Sequence, residues 1–481
     1  MKILYYNWIA FDNPGQLGGG VNLYQRDLIR WMVTNDSEYD ISFLSSGWKC
    51  NPLRKDVYVV PTCNIFGDKC HSYEIINSPI MAPSSSLVGM FDRYVSDEVS
   101  VAIFRQFLLE HGPFDVIHFN NLEGISVNVL ALKSEFQNSK FVVTIHNYQT
   151  ICPLAQYFNL VDNKVCRNFG EGVSCLACVN KLSRTDEYSR HCKNFFYGLL
   201  ASCKYGKVIR PLFKLFSKFC AKCRKISGVP APQSLQAKDY AAYRKHNVEM
   251  LNRYTDLILT VSERTRAIML QHGIDCRRTY VCYIGSRFAD KERQVHLAQV
   301  AGVENEVMRH GVFTICYLGY KRVDKGFYFL LDSLSTLDPL IATGVRVVLA
   351  VAKLNRRKIE IKLKHFKEVV LYDGYTHQDL ENILQTVDLG IVPVLWEDNL
   401  PQVAIEMVAC GVPILCSDLG GASELCSSPK FKFVGGSRED LLRKLVFLVQ
   451  HPDILQEYWR CRRPLVTMEQ HVLELKRYYQ S

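Results

Sequence analysis

Leu395–Glu424 reads LWEDNLPQVAIEMVACGVPILCSDLGGASE. The apolar run before it, ending at Pro393–Val394, predicts a strand. Trp396, Glu397 and Asp398 then occupy a loop, and a helix starts near Pro401. Proline suits a first helical turn, because the N–H it lacks would have no partner there. The first N–H groups of that helix point back into the loop and offer an anion site. Asp398 precedes the helix and Glu406 lies well within it, so both carboxylates can face one ligand. Carboxylates accept paired hydrogen bonds from vicinal hydroxyls, so a ligand bearing such hydroxyls suits the pair. The same pattern also reads as an acidic helix cap followed by a solvated Glu, and taken alone it leaves both readings standing.

Working outward, short apolar or β-branched runs recur along the chain with helical patterns between several of them, which predicts largely parallel sheets. In the first half these strands are Lys2–Asn7, Ile41–Leu44, Val57–Val60, Val116–Phe119, Phe141–Ile145, Leu257–Val261 and Thr279–Tyr283. After a polar stretch around Asp290–Arg309 the scheme restarts at Thr314–Leu318, Val345–Val351, Val369–Leu371, Leu389–Val394, Pro413–Cys416 and Phe431–Phe433. A chain of 481 residues is too long for one ordinary core, so two α/β domains follow: residues 1–290 and 291–453. The last segment, 454–481, is polar and helical and is expected to pack back on the first domain. Open α/β sheets bind ligands beyond the carboxyl ends of their strands, which puts the site where the two lobes face each other.

An acid, seven residues and a Glu, then A-x-G-V-P and later G-G-x-x-E, resemble the motif of retaining glycosyltransferases of family four. Here the pieces are Asp398, Glu406, Ala409–Pro413 and Gly420–Glu424. The resemblance implies the GT-B architecture, an α/β fold of two Rossmann-like domains facing across a cleft. It also implies Asp398 at the donor sugar, where the family usually has Glu, and Glu406 at the ribose, with Asn399 and Leu400 in the donor-binding set.

Ile315–Leu334 reads ICYLGYKRVDKGFYFLLDSL: a strand into Gly319, a turn, then Lys325-Gly326 opening a helix. A nucleoside diphosphate leaving group gains negative charge as its bond to the sugar breaks, and fixed cations stabilise that charge. Lys325 matches the family's diphosphate-binding Lys. Tyr320 stands where the family has Arg, which leaves Lys321 or Arg322 to supply the second cation.

In the first half, Gly18-Gly19-Gly20 precedes a helical pattern, and side-chain-free backbone there can approach a phosphate or sugar closely. An ordinary flexible loop is the competing reading; the family's Gly-Gly loop at this place implies donor contact by Gly19 and Gly20. Phe141–Pro153, FVVTIHNYQTICP, ends a buried strand at Ile145 and sets His146 at a carboxyl edge. A lone His is more often structural; the family's strand-H-D/N motif implies that His146 touches the donor sugar.

A cysteine-rich insertion covers about 150–225. Cys166, Cys175 and Cys178, with Cys152 close by and a second C-x-x-C at Cys220 and Cys223, have spacing suited to a structural zinc. Plain burial as small hydrophobes is the alternative reading. Pro211–Lys225, PLFKLFSKFCAKCRK, is amphipathic and basic, and can lie on an anionic membrane surface or pack on its own lobe.

Lys plus Arg number 58 against 48 Asp plus Glu, a net charge of +10 that favours an anionic partner. The resemblance selects a nucleotide-diphosphate sugar and a carbohydrate or lipid-linked acceptor, with no nucleic acid. The N-terminus, MKILYYNWIAFDNPG, lacks a signal peptide's long apolar region, and no run of about 18 apolar residues is present, so a cytoplasmic protein is expected, at most touching the inner face of a membrane. In such a compartment the 18 cysteines are not a disulfide framework.

The expected reaction is transfer of a hexose-type residue to an acceptor hydroxyl with retention, in surface polysaccharide or glycolipid assembly. The departing phosphate takes the acceptor's proton, and no metal cofactor is required. A nucleotide-sugar 2-epimerase and a non-catalytic sugar-nucleotide-binding protein are the competing readings. A dinucleotide oxidoreductase ranks last, since no strand-linked G-x-G-x-x-G appears.

Overall fold

The computed structural model describes residues 1–13, 17–36, 38–51, 53–54, 56–84, 95, 97–181, 236–289, 312–376 and 378–481. The expected basic helix at 211–225, the Cys220/Cys223 pair and the polar connector at 290–309 lie outside these residues. No helix among the described residues is long and apolar enough to cross a membrane.

Two sheets carry the chain. The first runs, in spatial order, Thr279–Val281, Leu257–Thr260, Lys140–Ile145, Val116–Phe119, Lys2–Asn7, Asp40–Ser46, His71–Ile76 and Tyr58–Thr62. All neighbours are parallel except the last pair. The second sheet is wholly parallel: Glu368–Tyr372, Val345–Val351, Phe313–Gly319, Leu389–Val392, Ile414–Ser417 and Lys432–Phe433. The central strands are buried on both faces (Ile3, Leu4, Tyr5 and Tyr6; Val347 through Val351), which is why they read as continuous apolar runs instead of alternating ones.

Each sheet reverses its strand order once. In the first, successive strands leave Lys2–Asn7 on one side and return on the other at Val116–Phe119; in the second the reversal is at Phe313–Gly319. Crevices open at such switch points beyond the strand carboxyl ends. In this chain those ends deliver Asn7, Asn120 and His146 from the first sheet, and the loops 320–326 and 393–401 from the second.

The C-terminal segment differs from the single unit expected. Leu455–Cys461 stays with the second half, where Glu457 pairs with Lys430 at 2.5 Å and Ser427 N–H donates to the Cys461 carbonyl. Arg462–Pro464 breaks the helix, because a residue before proline is pushed out of helical geometry. Only Met468–Gln480 packs on the first sheet: the Tyr479 hydroxyl lies 3.2 Å from that of Tyr5 and 2.6 Å from His118 Nδ1. The returning chain makes a parallel bridge between Ser286 and Thr467.

Candidate functional site

The 393–401 loop is built by glycines on one side and a proline on the other. Gly420, at φ +70, sits so close that a Cβ would fall 2.2 Å from the Asp398 carbonyl oxygen, and Gly421 N–H donates to that same oxygen at 2.8 Å. Side chains there would displace the acid-bearing loop. Pro401 caps the helix instead of entering its first turn, and the helix proper is Gln402–Ala409. It stops at Gly411, whose φ of +79 lets Val412 N–H reach back to the Met407 carbonyl. The A-x-G-V-P segment is thus a helix terminator leading into the next buried strand.

On this frame the Lys325 ammonium meets the Asp398 carboxylate at 2.6 Å and lies 4.9 Å from the centre of the Trp396 ring. Lys325 is positioned by Gly326, the left-handed cap (φ +74) of the Phe327–Leu334 helix, packed so tightly on Pro393 that a Cβ would strike its carbonyl. Glu406 is buried at 3% exposure. Its charge, after burial itself, pushes the Tyr375 hydroxyl up, and Tyr375 also feels Tyr320 and Tyr317. Tyr317 in turn feels Asp398, so Glu406, Tyr375, Tyr317 and Asp398 share one neighbourhood.

Of the two cations left open by Tyr320, Lys321 turns away and donates to the Lys353 carbonyl at 2.7 Å. Arg322 is forked onto Asp324 through bonds of 2.9 and 2.8 Å, and the Asp324 carbonyl accepts from Leu395 N–H, tying this turn to the Trp396 loop. Tyr320 itself is 61% exposed.

The first half comes to the same gap. His146, half-buried, has Nε2 3.2 Å from the Asn120 amide oxygen and its ring centre 5.1 Å from that of Tyr24. Burial, and then the neighbouring His471, lower its pKa to about 3, so the imidazole is neutral at ordinary pH. Asn399, the residue after Asp398, places its amide nitrogen 3.5 Å from the carbonyl of Ile145, the residue before His146. Gly20, in the first turn of the Gly19–Asn35 helix, approaches so near that a Cβ would fall 2.8 Å from Gln402 Cγ. Gln402 opens the Gln402–Ala409 helix, so two helix N-termini from opposite halves face one gap. Gly19 is exposed beside them at φ +59. Leu400 lines a small cavity with Tyr283, Ile405 and Leu465 where the chain crosses between halves. Within these loops the buried atoms Asn120 Nδ2, Asn399 Oδ1 and Trp396 Nε1 have no hydrogen-bond partner among the described residues.

Arg264, which no binding motif in the sequence marks, also belongs to the gap. Its guanidinium pairs with Glu397, which is 1% exposed, and Glu397 also accepts from Gly420 N–H at 2.9 Å. Glu424 crosses the gap in the other direction and accepts from Arg264 N–H at 2.7 Å and Glu263 N–H at 3.1 Å, filling the N-terminus of the Glu263–Gln271 helix. The signal was Ser262-x-x-Thr265 after the Leu257–Thr260 strand, a helix start whose Ser262 side chain accepts from Thr265 N–H. Nothing in the sequence says that its partner acids lie more than a hundred residues on.

The cysteines of the insertion are buried and near one another, since Cys152, Cys175 and Cys178 all raise the Cys166 thiol, after burial, to about 12. Three of these thiols also have a protein partner: Cys175 Sγ accepts from Arg244 Nη1 at 3.1 Å, Cys178 Sγ from Leu160 N–H at 3.3 Å, and Cys166 Sγ lies 3.8 Å from the Asn168 carbonyl. Among the described residues no three of them bring their sulfurs within 4.8 Å of one another.

Residues 312–451, which hold Lys325, Asp398 and Glu406, match the family described as "Glycosyl transferases group 1". A lipopolysaccharide core biosynthesis mannosyltransferase, LpsB of Rhizobium meliloti (strain 1021), is 25% identical over 213 residues, 41% of this chain and 54% of its own. The match thus spans about half the length of that curated relative. Among solved structures, a sucrose-phosphate synthase from Thermosynechococcus elongatus superposes with a TM-score of 0.55 at 13% identity, covering 100% of this chain and 98% of its own. Anabaena HepE in complex with UDP-glucose gives 0.53 at 14%, covering 100% and 99%. At such identities these likenesses establish the fold, which is the GT-B arrangement of two parallel-sheet α/β halves.

Proposed function

We propose that the chain is a glycosyltransferase that takes a sugar from a nucleotide-diphosphate donor and delivers it, with retained anomeric configuration, to an acceptor hydroxyl. One observation carries the reading. The loop bearing Asp398, with Lys325 paired to it, and the helix bearing buried Glu406 come up to the first half beside the His146 strand end, where Asn399 reaches the Ile145 carbonyl, and beside Gly20, which faces Gln402. The match of residues 312–451 to group 1 glycosyltransferases, and the UDP-glucose held by the structurally similar HepE, support it.

In this reading the diphosphate lies between Lys325, Arg322 and the two helix N-termini, whose N–H groups and dipoles favour an anion. Lys325 exchanges Asp398 for phosphate and frees the carboxylate for the sugar's hydroxyls. Arg322 keeps Asp324 and offers its remaining N–H groups. Asn120 Nδ2 and Asn399 Oδ1 find in a sugar the hydrogen bonds they lack, which otherwise cost about 1–3 kcal/mol each. Neutral His146 can donate to or accept from a hydroxyl without adding charge. Glu406 takes the ribose. As the bond to the anomeric carbon breaks, the cations hold the growing phosphate charge, and a phosphate oxygen accepts the acceptor's proton; that charge supply requires no metal ion. The resemblance to LpsB directs the acceptor reading toward a glycolipid or surface polysaccharide, with the protein working at the cytoplasmic side.

The test is to screen the purified chain for thermal stabilisation by UDP-, GDP- and ADP-sugars, then to follow the selected donor with and without lipopolysaccharide-core oligosaccharide. An α-linked product from an α-linked donor is the expected result. Consumption of donor with no glycosylated product, in any acceptor's presence, would replace transfer by epimerisation or hydrolysis.

A further inference from the structure

A second cluster of ligating side chains lies behind the cleft. Cys282 stands just beyond the Thr279–Val281 strand, and His471 and Glu474 lie three residues apart, on one face of the Met468–Gln480 helix. A ring nitrogen of His471, the Cys282 sulfur and a Glu474 carboxylate oxygen all come within 4.8 Å of one another. Cys282 and His471 are each 2% exposed. His471 Nδ1 lies 3.6 Å from the sulfur, and its Nε2 lies 2.6 Å from the Tyr24 hydroxyl.

We propose that Cys282, His471 and Glu474 bind one zinc-class divalent cation. A tetrahedral zinc with bonds of about 2.3 Å to sulfur and about 2.0–2.1 Å to nitrogen holds those two atoms about 3.6 Å apart, the separation present here. Thiolate, imidazole and carboxylate together suit zinc better than magnesium or calcium, which take oxygen. In the tautomer that donates Nε2–H to the Tyr24 phenol oxygen, in place of any bond from Nδ1 to the Tyr283 backbone, the Nδ1 lone pair is available to the metal and Tyr24 acts as the outer partner that metal-bound histidines use. Binding releases the Cys282 thiol proton to solvent and leaves a thiolate on the metal, with no change of redox state.

Such an ion would act as a staple. It joins groups 189 residues apart and clamps the returning C-terminal helix to the first sheet. Tyr24 packs against both His471 (ring centres 5.4 Å) and His146 (5.1 Å), so the staple also backs the side chain against which His146 rests. The inference is independent of the transfer reading.

The full chain, stripped with chelator under reducing conditions, is titrated with cobalt(II) and then zinc(II). A thiolate-to-cobalt charge-transfer band that saturates and is displaced by zinc is expected. Cys282→Ser should remove the Cys282 contribution to that band, and Glu474→Gln and His471→Gln should each weaken binding by at least about tenfold to a hundredfold. A Cys175→Ser/Cys178→Ser double variant should leave that contribution in place, which separates this site from that C-x-x-C pair of the insertion. Glu474→Gln is the variant least disturbing to the fold; zinc should raise the Tm of the parent protein by clearly more than that of this variant at the same concentration. Binding that persists unchanged in Cys282→Ser and Glu474→Gln, or a parent chain that takes up no metal, overturns the proposal.

Discussion

Lys325 and Asp398 are 73 positions apart in the chain, and their side chains meet at 2.6 Å beside the indole of Trp396. Lys325 is partly open to solvent, with 24% of its side chain exposed, while Asp398 keeps only 9%. An accessible cation held by a sheltered acid is suited to exchange that acid for an incoming phosphate. Lys325→Ala should therefore cut sugar transfer by roughly a hundredfold or more, consistent with about 2.7–4 kcal/mol for one lost donor to a developing anion. The folded protein should survive, checked by circular dichroism. Near-normal turnover of the purified variant would remove Lys325 from the mechanism.

The contact between Gly20 and Gln402 gives a test of how closely the halves must approach. Gly20→Ala adds a carbon about 2.8 Å from Gln402 Cγ, closer than side chains tolerate. Within its own helix the substitution should be neutral or favourable, because Ala exceeds Gly in helix propensity. Activity should fall while Tm holds or rises, and the double variant Gly20→Ala/Gln402→Ala should recover much of the loss. Failure of that rescue would place the defect in the glycine turn itself.

Arg264 and Glu397 form the cross-gap ion pair, and only the acid is fully buried (1% against 41% for Arg264). Arg264→Ala leaves Glu397 with the Gly420 N–H and no cation. The cost should be on the order of 2–3 kcal/mol, toward the low side of broken buried pairs because Arg264 is partly hydrated. Urea unfolding of parent and variant measures it. Arg264→Lys should restore only part, since Lys cannot make the two parallel bonds of the guanidinium fork.

Burial holds both His118 and His146 at about 3, well under the ordinary value for an exposed His. Between roughly pH 3 and 6.5 the unfolded chain binds protons at these two positions that the folded chain refuses. Their stabilisation is complete above about pH 6.5 and is lost as pH falls below it. Two such groups give a slope of about 2.7 kcal/mol per pH unit near pH 5. Denaturant midpoints from pH 4.5 to 7.5 measure the change, and His118→Asn should lower the measured slope by about 1.4 kcal/mol per pH unit, one group's share, with buried His471, held at about 4, adding a similar share of its own. His146 should contribute no step to a pH–rate profile between pH 5 and 8.

Much of the scaffold was legible from local pattern. Lys2–Asn7, Val116–Phe119 and Val345–Val351 form strands with the bounds that their apolar runs predict. His71–Ile76 escaped, because HSYEII carries a His, a Ser and a Glu. Glu74 is 1% exposed in the folded chain and tolerable there because Lys49 meets it at 2.5 Å, a partner no local window reveals. The turn at Asp324 escaped for a similar reason: a run of KRxxK shows charge but not which cation a neighbouring acid captures.

What sequence determined by itself was the alternation of strands and helices, the glycines that allow close approach, and the acids and bases placed at strand ends. Those properties follow from backbone sterics and apolar periodicity, which act over a few residues. Tertiary structure alone decided that Asp398 faces Lys325, that Glu397 is spent on Arg264, and that the final helix lays His471 and Glu474 against Cys282. Charges and ligating atoms act over a few ångströms of space, and only packing the two sheets sets which of them come that close.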